Sequence, residues 1–276
     1  MHKISKIQLQ SKNKSRANVY IDDVYSFSCD AEIILKYKLK EGLNVDEKDL
    51  VELIEESNEK RAFQIALHYL SFKPRTHYEI TMYLSKKDYE DKIINKVLEK
   101  LIYYGYIDDK QYALNYISSA IAEGKKSSNT VKSKLISKGI PLEIIEDCIK
   151  LFSSDVNIKI AKEISNKYFY QKSNLPLKQL KIKLSQLLVR KGFTWEVIDA
   201  CLNDLDQNSE VQSTIDSNKE QYQLQAIKLA KKYFDKYSKK ESNSYLLEKK
   251  VKHTLYQKGY GIDIIDVAFE SVKSNR

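Results

Sequence analysis

The sequence predicts a mainly α-helical protein: tandem three-helix repeats, helix-turn-helix-like in their corners, forming a curved array behind a small N-terminal β-hairpin region. Three observations carry this expectation. A basic–glycine–apolar corner recurs as Lys138-Gly139-Ile140, Lys191-Gly192-Phe193 and Lys258-Gly259-Tyr260, and Lys87-Asp88-Tyr89 is a glycine-free copy. The apolar frame around the corner recurs with it. Ile80, Val131, Leu184 and Val251 stand eight residues before the glycine position, and Leu84, Leu135, Leu188 and Leu255 four before it. Ile93-Ile94, Ile144-Ile145, Val197-Ile198 and Ile264-Ile265 stand five and six after it. Self-similarity over tens of residues marks a repeat architecture. Finally, only 7 Gly and 3 Pro among 276 residues, with 31% charged, favour helix over a turn-rich β fold.

Each element follows from local chemistry. Residues 4–28 read as strands, with Asp22-Asp23 as a hairpin turn and Lys12 to Arg16 as the preceding loop. Asp30 is positioned to cap a short helix ending near Tyr37, and Asp46 starts a long helical pattern that carries into the first repeat. In that repeat Ala62, Ile65, Ala66, Tyr69 and Leu70 line one face, Pro74 breaks the chain, and Thr76 with Glu79 forms a capping box. Gly105 ends its third helix, and Asp108-Asp109 opens the next repeat. Within each unit, apolar residues four apart share a helix face. The corner glycine stops that helix in the left-handed conformation, and Pro141, Thr194 and the acids Glu143, Glu196 and Asp263 suit the start of the following one. The polar stretch 206–218 reads as a linker or a frayed helix. The expected organisation is an N-terminal region, 1–59, followed by repeats at 60–107, 108–152, 153–205 and 219–276.

Composition and motifs exclude more than they assign. No apolar run approaches the ~18 residues of a membrane span, and the N-terminus lacks a signal-peptide core, so a cytoplasmic location is expected. Three cysteines without a CxxC pair argue against a disulfide or zinc framework. Cys148 and Cys201 fall nine residues after a repeat glycine, where Val97 and Ala268 stand in other copies, and so read as small core residues. There is no GxxxxGK[ST], GxGxxG, HExxH or GxSxG pattern, so neither a cofactor site, a metal site nor a catalytic constellation is expected. Asp22-Asp23 and Asp108-Asp109 are accounted for as turn and cap residues.

The net charge is +9 and unevenly spread. Residues 21–60 carry twelve acids against five bases, whereas Gly124 to Leu142 carries five lysines and no acid. Ile164 to Trp195 carries Lys167, Lys172, Lys178, Lys181, Lys183, Arg190 and Lys191, again with no acid. Such one-signed runs suit an anionic partner and equally suit a solvated helix face. The 20 tyrosines, as in Tyr103-Tyr104 or Tyr168-Phe169-Tyr170, can stack bases or fill cores. Lys87, Lys138, Lys191 and Lys258 recur at one repeat position, which stacked repeats would present either as a basic ladder or as simple charge at helix C-termini.

The segment Thr76-His77-Tyr78-Glu79-Ile80, then Leu84, Leu101 to Asp109 and Tyr112-Ala113, resembles the first-repeat signature of the bacterial RecX family. Gly124, Val131 to Leu135, Lys138-Gly139-Ile140 and Glu143-Ile144-Ile145 resemble its second repeat. The match is specific over about 60–152 and in frame to 205, and the N-terminal hairpin and fourth repeat are similar to long Gram-positive members. Two departures stand out: Asp88 in place of a corner glycine, and Ser118-Ser119 where relatives often carry arginine. The resemblance implies a non-enzymatic modulator of the RecA recombinase, and four repeats with their own apolar faces are compatible with a monomer. Such a protein would lodge on the RecA–DNA filament, suppress its ATPase and strand exchange in recombination, repair and the SOS response, and bind single- and double-stranded DNA. Charge clustering nominates Lys125, Lys126, Lys132, Lys134, Lys138, Lys181, Lys183, Arg190 and Lys191 as the contact residues. The competing reading is a stand-alone nucleic-acid-binding protein using the same basic faces.

Overall fold

A computed structural model describes residues 2–11 and 14–274. The chain opens with strands β1 (His2–Leu9), β2 (Arg16–Ile21) and β3 (Val24–Asp30), then helix α1 (Ala31–Lys36) and a two-residue strand β4 (Asn44–Val45). The expected hairpin is thus part of a four-stranded antiparallel sheet ordered β3-β2-β1-β4. Asp22 and Asp23 both have positive φ, 48° and 66°, the conformation of a primed two-residue turn. Alternation puts Ile4, Val19, Ile21, Phe27 and Cys29 in one buried cluster with Val45 of β4, packed with Ile33 of α1 and Leu53. Of the loop expected at Lys12 to Arg16, Lys12 and Asn13 lie outside the described residues, and Arg16 begins β2.

Helix α2 (Glu47–Ser71) is capped by the Asp46 carboxylate, which accepts the Asp49 N–H, and runs 25 residues without a break. Its first half packs on the sheet, and its second half joins α3 (His77–Ser85) and α4 (Asp91–Tyr103) around Ala62, Ala66, Ile80, Leu84, Val97 and Leu101. Part of the acid-rich 21–60 segment is met internally: Glu55 pairs with Lys92 at 2.5 Å and Lys96 at 3.5 Å, and Glu59 with Lys96 and Lys100. The chain continues through α5 (Asp109–Glu123), α6 (Ser128–Ser137), α7 (Leu142–Cys148) and a 3₁₀ turn.

Two further three-helix groups follow. Helices α8 (Ser154–Lys172), α9 (Leu177–Arg190) and α10 (Trp195–Gln207) bury Ile160, Ala161, Phe169, Leu184, Leu188, Ile198 and Cys201. The stretch expected to be a linker or frayed helix is α11 (Ser209–Ser217), nucleated by Asn208, whose side chain accepts the N–H groups of Glu210 and Val211, and anchored by buried Val211. Helices α12 (Lys219–Tyr237), α13 (Ser244–Gln257) and α14 (Ile262–Ser274) close on Ala226, Ala230, Val251, Leu255, Ala268 and Phe269. All three cysteines are free and buried, and desolvation pushes the Cys29 thiol up to about 11. The residues group into two compact units. One runs up to Asn115 and takes Leu135–Cys148; the other takes Tyr116–Lys134 and everything from Ile149 onward.

Candidate functional site

The recurring corner forms the same way in every copy. At Gly139, Gly192 and Gly259 φ is 74°, 80° and 88°. The apolar residue that follows turns its N–H back to the helix: Ile140 to the Leu135 carbonyl at 3.3 Å, Phe193 to Leu188 at 3.1 Å, Tyr260 to Leu255 at 3.3 Å. This is the Schellman closure that satisfies orphan carbonyls at a helix end. Asp88 holds the same conformation at φ 62°, and Tyr89 reaches the Leu84 carbonyl at 3.4 Å. The side chains of Ile140, Phe193 and Tyr260 are buried and pin each corner into its core.

Each glycine corner is also seated on the second helix of the repeat before it. The Thr76 hydroxyl, at the N-cap of α3, donates to the Lys138 carbonyl at 2.7 Å. Lys138 Nζ pairs with Glu79, the same carboxylate that accepts the Thr76 N–H to complete the capping box. One corner on, the Thr130 hydroxyl donates to the Lys191 carbonyl at 2.8 Å, the Ser127 N–H to the same oxygen at 3.3 Å, and Asn129 Nδ2 to the Gly192 carbonyl at 3.2 Å. Lys191 Nζ in turn donates to the Lys125 carbonyl at 2.9 Å. The last corner lies on α9, where a Cβ on Gly259 would come 2.9 Å from the Gln179 backbone nitrogen.

These contacts decide how the nominated lysines are spent. Burial pulls the Glu79 pKa upward, but hydrogen bonds from Lys138 and Thr76 outweigh it and hold the carboxyl below its ordinary value. Lys138 is raised, chiefly by Glu79. Of the two readings of the recurring lysine, an unbroken basic ladder does not form: Lys138 and Lys191 turn onto the preceding repeat, while Lys87 and Lys258 stay exposed. Lys181 pairs with Asp206. Lys125, Lys134, Lys183 and Arg190 are exposed, and Lys126 and Lys132 are partly buried, Lys126 lying 5.9 Å above the Tyr116 ring.

The seating of the Lys191 corner brings the two acid-free runs of the sequence to one place. Lys125 and Lys126 come from before α6; Arg190 and Lys191 come from the end of α9. Three residues beyond Gly192, and so within ~11 Å along the chain, stands Trp195, the chain's single tryptophan, 62% exposed. Its neighbour Glu196 is tied to its own backbone N–H and the Thr194 hydroxyl, which hold its carboxyl below the ordinary value. On α9 the exposed side of the helix carries Ile182 and Val189 beside Lys183 and Arg190. Charge clustering could find the lysines but not Trp195. The available signal was phase: Val197, Ile198 and Cys201 are the core face of α10, and Trp195 lies out of register with them.

Among the described residues no group of three or more His, Cys, Asp or Glu side chains is placed to hold a metal ion, and no helix is long and apolar enough to cross a membrane. Asp108 and Asp109 serve α5 and α3. Asp108 accepts the Gln111 N–H at 2.8 Å, and Asp109, raised by burial, accepts the His77 N–H at 2.9 Å.

Comparison with known proteins gives a consistent result along the chain. Family models described as the Regulatory protein RecX N-terminal domain, the first three-helix domain of RecX and its third three-helix domain match residues 2–46, 62–101 and 220–269. A Regulatory protein RecX of Bacillus cereus is 34% identical over 96% of both chains. Its counterpart in Bacillus licheniformis is 33% identical over 95% of this chain and 96% of that one. Among solved structures, one of a regulatory protein RecX superposes with a TM-score of 0.57 at 30% identity, covering 74% of this chain and all of that one. The RecX structure from Lactobacillus salivarius reaches a TM-score of 0.51 at 28% identity over 54% of this chain and 97% of that one.

Proposed function

The chain belongs to the RecX family of regulatory proteins, and from that premise we propose that it is a non-enzymatic regulator of the RecA recombinase, acting on the RecA–single-strand filament to lower its ATP turnover and strand exchange. The observation that carries this reading is the end-to-end match: relatives bearing the regulatory name align over 96% of both chains, strands and last repeat included. The arrangement of charge supports it. Several acids of the N-terminal region, Glu55 and Glu59 among them, are met by lysines of α4, and Lys125, Lys134, Lys183 and Arg190 are exposed on the repeats. On this reading those four, with Lys126 and Lys132 beside them, meet an anionic filament surface, and Lys138, Lys181 and Lys191 support them from within.

A filament regulator must prefer recombinase-coated to bare strands where salt has weakened simple phosphate binding. Phosphate-driven affinity falls by roughly 10³–10⁵ between 50 and 200 mM salt for six to ten contacts. Binding to a fluorescent oligonucleotide, with and without recombinase, is therefore measured at the upper end of that range. Tighter binding to the coated strand is expected; equal binding to both would favour the stand-alone nucleic-acid reading.

A further inference from the structure

Charge clustering placed Lys138 and Lys191 among residues that touch a partner. The geometry points elsewhere, and we infer that the Lys-Gly corners are clasps between successive repeats, with Lys138 and Lys191 acting as positioning residues that set the contact faces without meeting the partner themselves. The inference rests on the recombinase reading for its functional consequence and on geometry alone for the clasp.

Three features carry it. First, the same element of three different repeats lies on the same element of the repeat before it: the corner at Gly139 on the start of α3, that at Gly192 on the start of α6, that at Gly259 on the start of α9. Second, the partners are specific. Corner carbonyls take hydroxyl donors from Thr76 and Thr130, and both lysine ammoniums are aimed backward, one to Glu79 and one to the Lys125 carbonyl. Third, closeness is built into the residue choice. A Cβ on Gly139 would overlap the Tyr78 side chain, and one on Gly192 would stand 2.5 Å from Thr130 Oγ1 and 2.7 Å from Ser127 Oγ. The one corner with a side chain in place of glycine, Asp88, belongs to the first repeat, which has no repeat before it to lie against.

The lysine in the first two clasps has a second consequence. Glu79 completes the α3 capping box and binds Lys138 with the same carboxylate, so the start of one helix and the seating of the next repeat depend on one side chain. At the following clasp, Lys191 spends its ammonium on the Lys125 carbonyl and thereby holds the Lys125 backbone at the end of α9. A clasp lysine therefore matters to partner binding through where it puts the exposed bases.

The test uses the full-length protein and two neutral substitutions at one clasp, Thr130→Val and Lys191→Met, singly and together. The concentration giving half-inhibition of DNA-dependent ATP hydrolysis by the recombinase is read against salt. If the clasp acts by positioning, Thr130→Val, which removes no charge, raises that concentration about as much as Lys191→Met. An expected rise of roughly tenfold corresponds to ~1.4 kcal/mol. The double variant falls short of the product of the two, because both break one interaction, and the salt dependence keeps its wild-type slope. If Lys191 instead touches the filament, Lys191→Met alone weakens inhibition and flattens the salt slope while Thr130→Val leaves both unchanged, and the inference is overturned. Thermal unfolding of the same four proteins keeps the clasp separable from the recombinase reading. Should the wild type not inhibit the recombinase at all, non-additive melting still supports the clasp, and additive melting contradicts it.

Discussion

Gly192 has two separate reasons to be glycine, and they can be measured apart. Its φ of 80° lies in the left-handed region, and a Cβ there would collide with Thr130 and Ser127. Gly105 has a similar φ of 70° with nothing within 4 Å of a built Cβ. Gly105→Ala should therefore cost only the backbone term, about 1–2 kcal/mol for an L-residue in that conformation. Gly192→Ala should cost clearly more, since it also pushes the corner off α6. Urea unfolding of both variants checks this, and equal losses would mean that the corner yields freely. Trp195 offers a second residue-scale reading. As the single tryptophan, exposed three residues beyond Gly192, it should report a stacked base by quenching of its fluorescence when a single-stranded oligonucleotide is added at low salt. Charge reversal at Lys183 and Arg190 should weaken inhibition of the recombinase more than reversal at Lys181, whose charge is already met by Asp206.

At the scale of elements, the repeat pattern made most helices legible because glycine corners and four-residue apolar spacing are local properties. Thr76 with Glu79, Asp46 and Gly105 mark their helix ends as expected. The misses are non-local. Strand β4 is two residues long and exists by pairing His2 with Val45 and Lys3 with Asn44, which no window around Asn44 could reveal. Helix α11, read as a linker or a frayed helix, is mostly polar; its Asn208 cap is local, and the burial of Val211 that anchors it is not. The basic seam was half legible: each acid-free run was visible, but their meeting depends on which helix the Lys191 corner rests against.

The first clasp also has a pH signature. Glu79 is lowered in the folded protein, so its contribution is complete above the ordinary carboxyl value and fades as pH falls through the folded one. Lys138 is raised, so its contribution is complete below the ordinary lysine value and fades only as pH climbs through the folded one. The stability difference between wild type and Lys138→Met should thus stay level from about pH 6 to 9 and shrink in acid. A difference that moved within the neutral range would assign the effect to another group.

The whole chain carries three-helix groups in series along its sequence, a seam where two basic runs meet, and the likeness that places it in the RecX family. A repeat protein of this kind draws its stability from neighbour-to-neighbour contacts, and here the corners supply specific ones. The exposed bases are then spaced by the same contacts that keep the repeats together. The most direct test adds the full-length protein to preformed RecA filaments on single-stranded DNA and follows ATP turnover. The account predicts a fall in turnover that grows with protein concentration and is weakened by charge reversal at Lys183 and Arg190. Turnover that stays at its starting rate across that concentration range would contradict it.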